Sequence, residues 1–387
     1  MPTVPRHVLP VLVLAQLAGT SLWFAVNAVM PDLQRELGWP ATAVGTLTSA
    51  LQMGFIVGTL VFALLAVADR FRPTRVFLLC ALSGAACTVG AWAMVEQFSA
   101  LLVWRFATGF FLAGIYPVGM KIASQWYRQG LGAALGYLVG ALVLGSASPH
   151  ALRALADALP WPSIMLGVAA LAAAGGLLIL TLGEPPQAQA RVTTLQWQAL
   201  GTLWTDWRVR SSVLGYFGHM WELYTVWVLM PLILATRLDG VSLSWAAFIM
   251  VGSGAIGCMV GGHVAKRWGS AQVARWMLAG SGACCLLAPW LINAPHAVFY
   301  VWLLVWGITV AGDSPQLSAL TASNAPAQAV GSVLTLTNSL GFAISIVSIL
   351  VFVWLTQWLP LGWLLTGLAM GPALGWWALR PLVQTRT

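Results

Sequence analysis

His219 and Glu222 stand three residues apart in an apolar run that begins near residue 211. That spacing puts two side chains on one face of a helix. A carboxyl group beside an imidazole can pass a proton, which is the chemistry a proton-coupled carrier requires. The same pair could instead form a fixed hydrogen bond that ties its helix to a neighbour. Glu222 lies about eleven residues, or 16 Å, along the run, near the middle of a hydrocarbon layer about 30 Å thick.

Further along, Asp313 sits within Gly312-Asp313-Ser314-Pro315. Glycine and proline there can break a helix, and broken helices expose backbone groups that transporters use to hold a solute. Lys121 falls at a similar depth, so it could pair with Asp313 or snorkel to the interface. Arg105 could anchor at the outer surface or bend inward. Asn27, Gln52, Tyr137 and Asn338 are neutral hydrogen-bonding groups near mid-depth, available to a solute or to helix packing. His219, Met220, Cys258, Met259 and His263 include soft metal ligands, but they follow no ligand spacing. The five cysteines all lie in apolar stretches without a C-x-x-C motif. Disulfides, zinc and any cofactor are therefore not expected.

The elements that position these residues must span a membrane. Of 387 residues, 59% are hydrophobic and only 7% charged, which cannot clothe a soluble globule. Apolar runs predict six spans near residues 8–30, 41–67, 74–95, 100–123, 130–149 and 161–183, with ends good to about three residues. Six more follow near 211–235, 243–265, 271–292, 297–320, 329–354 and 361–379, with the same error of about three. The fold class is an all-α membrane protein of twelve transmembrane helices in two pseudo-symmetric six-helix bundles. The expected domains are residues 1–183, a cytoplasmic linker at 184–210, and residues 211–387. The N-terminal Arg6-His7 and following apolar run imitate a signal peptide, but the many later spans argue against cleavage.

Alternate connections carry thirteen Lys and Arg residues against three, the three being Arg35, Arg153 and Arg237. Arg70, Arg128, Arg191, Arg267 and Arg386 belong to the richer set. That bias places both termini in the cytoplasm of a cell whose inner membrane holds the chain. The formal charge of +8 thus reflects topology and predicts no nucleic-acid partner. Among twenty-two tryptophans, Trp39, Trp126, Trp161, Trp268, Trp358 and Trp363 fall at predicted helix ends, as interface anchors do.

The two halves repeat one another. Val103-Trp104, Gly109, Ala113-Gly114 and Pro117 match Val301-Trp302, Gly307, Ala311-Gly312 and Pro315, all displaced by 198 residues. Met30-Pro31 answers Met230-Pro231, and Gly132 answers Gly331, at nearly the same displacement. Duplicated bundles that rock about a central cavity perform alternating access. A channel or an intramembrane enzyme would need a continuous pore or a nucleophile or metal cluster, and neither is visible in the sequence.

The connection Ala68-Asp69-Arg70-Phe71-Arg72-Pro73-Thr74-Arg75 resembles the signature loop of the major facilitator superfamily. Leu65 and Arg72 stand where that family carries glycine. The second copy, Gly262-His263-Val264-Ala265-Lys266-Arg267-Trp268-Gly269, keeps both glycines and replaces the acid with Lys266. The resemblance implies a cytoplasmic gate at Asp69, Arg70 and Arg267, closed by charged hydrogen bonds to helix ends across the bundles. Arg105-Phe106-Ala107-Thr108-Gly109 is similar to the family's Arg-x-x-x-Gly pattern, which implicates Arg105 in proton coupling beside Glu222 and His219. In the fifth span, Ser148 precedes Pro149 where exporters of this family carry glycine.

The expected function is secondary active transport of a small polar or amphipathic organic solute, a zwitterion or organic anion, coupled to protons by a monomer in the lipid bilayer. The rivals are a multidrug exporter, which would want an acid where the first span has only Asn27, transition-metal uptake, and a channel or embedded enzyme. Substrate-cavity candidates are Asp313, Lys121, Asn27, Gln52, Tyr137 and Asn338.

Overall fold

The computed structural model describes residues 4–127, 131–156, 158–183 and 195–384. Arg128, Arg191, Arg386 and the first part of the expected linker, 184–194, lie outside the described residues. Apolar sequence in lipid has only its own backbone to bond, so the described chain is built of helices. In chain order they are α1 Val8–Leu37, α2 Ala43–Leu64, α3 Pro73–Ala93, α4 Phe98–Trp126, α5 Gly132–Leu155 and α6 Pro162–Leu182. Next come α7 Trp207–Leu234 and α8 Gly240–Trp268, then α9 Ser270–Leu291. The last three are α10 His296–Asn324, α11 Val330–Leu355 and α12, which runs Leu361–Thr366, turns through Gly367–Ala369 and resumes as Met370–Ala378. Ten of these are long and apolar enough to cross a membrane; α9 and α12 complete the expected twelve.

Several ends differ from expectation. The first helix continues past 30 to Leu37, because Pro31 is accommodated within it and Gly38, at φ 67°, supplies the left-handed residue that stops it. The fifth continues past Pro149 to Leu155, so this helix takes the proline within it without ending. The second stops at Leu64, short of 67, and a separate turn, Val67–Arg70, carries the Asp-Arg pair. That turn opens on Ala66 at φ 48°, a backbone position where glycine would be unstrained.

Five helices are interrupted, each for a local reason. In α1, the Thr20 hydroxyl donates to the Gln16 carbonyl at 2.8 Å and the Ser21 hydroxyl to Ala18 at 2.7 Å, and the next four residues tighten to a 3₁₀ turn. In α4 the helix halts at Leu112 and restarts at Tyr116, one residue before Pro117. In α10 it halts at Gly312 and restarts at Ser314, with Pro315 behind. A proline lacks the amide hydrogen and crowds the carbonyl four residues back, so both breaks fall where the repeat places it. In α8 the break is at Ser253, and in α12 at the Gly367–Ala369 turn.

Residue packing divides the chain into Met1–Leu195 with Leu238–Phe248, and Gln196–Arg237 with Ile249–Thr387. The first unit is held by close α2–α4 and α3–α6 packing, the second by α7 against α11 and α12 and by α9 against α10. The repeat is visible in atomic detail inside each unit. A Cβ on Gly109 would lie 1.9 Å from the Leu51 carbonyl oxygen, and one on Gly307 would lie 2.1 Å from that of Met250. Likewise Gly58 abuts the Phe110 carbonyl and Gly257 the Ile308 carbonyl. Two helix pairs thus cross backbone to backbone at equivalent positions, as lipid-embedded helices do where small residues meet.

Candidate functional site

The buried acids and histidine of the second unit lie on α7 and α10, and α9 supplies hydroxyl and thiol groups to them. Glu222 and His219 are each 1% exposed, as is Asp313 at the break of α10. His219 does not face Glu222. Its Nδ1 lies 2.8 Å from Asp313 Oδ1, a contact that is an ion pair when the imidazole is protonated. Glu222 instead accepts three donors: Trp306 Nε1 at 2.7 Å and Cys285 Sγ at 3.1 Å on Oε1, and Ser281 Oγ at 2.9 Å on Oε2. Helical spacing correctly puts the two side chains on one side of α7, but tertiary packing gives each its own partner.

Lys121, which could pair with Asp313 or snorkel by sequence, has partners inside its own unit. Lys121 Nζ donates to the Ala68 carbonyl at 2.7 Å and to the Asp69 carboxylate, both on the Val67–Arg70 turn. Lys121 therefore does not snorkel freely. It fastens the signature turn to the second leg of α4. Arg70 and Arg267 are both exposed, and Arg267 lies over the Trp268 ring at 5.9 Å.

Arg105 bends inward and is 1% exposed. Its Nη1 and Nη2 donate to the carbonyls of Leu22 and Trp23 at 3.2 and 2.6 Å. Those carbonyls belong to the 3₁₀ turn of α1, where the helical ladder is disturbed, so the guanidinium satisfies groups that hydrocarbon cannot. Of the neutral candidates, Asn27 donates to Thr48 on α2 at 2.9 Å, and Asn338 accepts from the Tyr216 hydroxyl on α7. Gln52 is fully buried, and Tyr137 is partly exposed on α5. Asn27 and Asn338 thus act as links between helices of their own unit.

Several partners were not legible in the sequence. Ser281, Cys285 and Trp306 are unremarkable members of apolar runs, and only folding brings them to Glu222. Asp32, a terminal acid by sequence, is 6% exposed and meets Arg153 Nη2 at 3.1 Å, and Trp161 Nε1 donates to Glu36 at 2.8 Å. Trp161 is bonded at a helix end, and Trp268, Trp358 and Trp363 are each more than half exposed. Of the soft-ligand residues, Cys258 donates to the Ala311 carbonyl and His263 is exposed and bonded to the Met259 carbonyl. Among the described residues no group of three His, Cys, Asp or Glu side chains could hold a metal.

Long apolar helices in number, two of them broken just ahead of a proline, define a multi-pass membrane protein. The chain belongs to the Major Facilitator Superfamily, whose family model matches residues 12–350. A gallate transporter of Pseudomonas putida is 29% identical over 160 residues, 38% of this chain, and the match covers 34% of the relative's length. A probable L-galactonate transporter of Escherichia coli K12 is 24% identical over 320 residues, 73% of this chain and 68% of the relative. Among solved structures, a proton:xylose symporter superposes with a TM-score of 0.77 at 12% identity, covering 97% of this chain and 95% of that one. A human organic anion transporter gives 0.74 at 18% identity, covering 98% and 100%. Such distant structural likeness establishes the fold alone.

Proposed function

We propose that this chain is a secondary active transporter that moves a small organic anion or zwitterion across the inner membrane by alternating access, coupled to protons. The observation that carries the reading is the buried acid cluster of the second unit: Glu222 held by three donors, with His219 and Asp313 in contact one turn away. Ionisable groups at membrane depth are costly and persist where they serve a proton or solute path. Both curated relatives are named for carboxylates, gallate and galactonate, which favours an organic anion over an uncharged solute.

In this reading Glu222 and the His219–Asp313 pair carry the proton, Arg105 holds the first helix in its transport geometry, and Asn27, Gln52, Tyr137 and Asn338 remain candidates for solute contact. Asp69, Arg70 and Arg267 form the cytoplasmic gate, with Lys121 joined to them through Asp69. The bundles are those expected, 1–183 and 211–387, with the last residues of the 184–210 connection forming the first turn of α7, both termini are cytoplasmic, and the protein works as a monomer.

The test is uptake into proteoliposomes of a panel of hydroxylated aromatic and sugar carboxylates under an imposed pH gradient. Glu222→Gln should abolish accumulation driven by the gradient while leaving exchange of internal for external solute detectable. Undiminished driven uptake in Glu222→Gln would remove Glu222 from coupling.

A further inference from the structure

The two oxygens of Glu222 are chemically unequal. Oε1 receives the Trp306 indole N–H at 2.7 Å and the Cys285 thiol at 3.1 Å. An indole nitrogen can only donate, so a proton placed on Oε1 would point at groups that offer it no good acceptor. Oε2 receives only the Ser281 hydroxyl among the described residues, at 2.9 Å. A hydroxyl both donates and accepts. Ser281 Oγ also lies 3.3 Å from the Leu278 carbonyl of its own helix, a second acceptor for its hydrogen.

We propose that Ser281 is the positioning residue that lets Glu222 gain and lose a proton in place, by reversing the direction of its hydrogen bond. This rests on the reading of Glu222 as the coupling carboxyl. When the proton arrives, a new O–H bond forms at Oε2 and donates to Ser281 Oγ. The serine keeps its own hydrogen and rotates it from Oε2 to the Leu278 carbonyl. Oε1 becomes the carbonyl oxygen and retains both of its donors. One proton is gained by one carboxylate, no other bond is made or broken, and no heavy atom need move. Both protonation states are then satisfied in a site that is 1% exposed for Glu222 and for Ser281 alike.

The other ionisable groups around Glu222 do not replace this arrangement. On its own helix, His219 faces Asp313. From α10, Asp313 is turned to His219, and from α8, Cys258 is turned to the Ala311 carbonyl. From α9, Cys285 is committed to Oε1, and the neighbouring Cys284 offers its backbone carbonyl to Trp302. Thr225 on α7 is bonded to Ser348 of α11. The serine is thus the one described side chain on Oε2 that can change from donor to acceptor.

The experiment uses the full chain in proteoliposomes, with the carboxylate panel above. Ser281→Ala is expected to lower gradient-driven uptake about tenfold, the scale of leaving one buried group without a partner, with exchange kept within about twofold. Ser281→Thr, which restores a hydroxyl, should recover driven uptake. Ser281→Cys keeps the shape but weakens the acceptor, and it should lose driven uptake as the alanine variant does. Infrared difference spectra should also show the carboxyl band of Glu222, identified by its loss in Glu222→Gln, displaced in Ser281→Ala and returned in Ser281→Thr. If Glu222→Gln is dead for driven uptake but Ser281→Ala and Ser281→Cys are normal, the relay is wrong and the coupling carboxyl stands. If Glu222→Gln accumulates solute normally, the coupling reading falls and takes the relay with it.

Discussion

His219 on α7 and Asp313 at the break of α10 stand 2.8 Å apart, Nδ1 to Oδ1, each 1% exposed. The contact joins an intact helix to the one place where α10 loses its own ladder. Deleting one member of a buried pair strands the other without a partner. His219→Ala and Asp313→Ala should each lower stability by about 3 kcal/mol. The double variant should lose less than the sum, by a coupling of about 1–3 kcal/mol, measured by thermal unfolding in detergent. Full additivity would mean that the two side chains do not act as a pair.

Lys121 bonds both the Ala68 carbonyl and the Asp69 carboxylate, so it fixes the signature turn to α4. Asp69→Asn and Lys121→Met should each slow turnover about fivefold with little change in half-saturating solute concentration. The double variant should be no slower than either alone, as expected of one interaction removed twice. Normal turnover with weakened affinity in Asp69→Asn would contradict a gating role.

The glycine crossings supply a stability test with a built-in control. Gly307→Val must displace the Met250 carbonyl, 2.1 Å from where its Cβ would lie, and should cost about 2 kcal/mol or more. Gly109→Val should behave similarly against Leu51. Gly331→Ala and Gly132→Ala meet nothing within 4 Å and should stay within about 1 kcal/mol of the parent. Equal melting temperatures for the valine and alanine variants would refute close helix crossing.

Arg105 divides its guanidinium between two carbonyls, a forked geometry that an ammonium reproduces poorly. Arg105→Lys should therefore destabilise by about 1–2 kcal/mol and Arg105→Leu by more, measured in the same unfolding assay. A lysine variant as stable as the parent would show that charge alone suffices there.

Much of the architecture follows from composition and periodicity. A chain with 59% hydrophobic and 7% charged residues, arranged in long unbroken apolar runs, becomes membrane helices, because a helix closes its backbone bonds within one segment in lipid. Gly312 and Pro315 around Asp313 marked a place where the helix can break, and α10 does break there, since proline acts on its own chain four residues back. The signature turn around Asp69 was legible for the same reason: its residues are contiguous.

What the sequence left open was which side chain each buried charge would meet. Helical spacing put His219 beside Glu222, yet the distance that matters runs across helices, and there Asp313 takes His219 while Ser281, Cys285 and Trp306 take Glu222. Arg105 likewise finds carbonyls more than eighty residues away on α1. A local sequence fixes the rotation of a side chain about its own helix axis. Its partner is chosen by how close neighbouring helices approach, and bare glycine contacts such as Gly307 against Met250 let such helices come together.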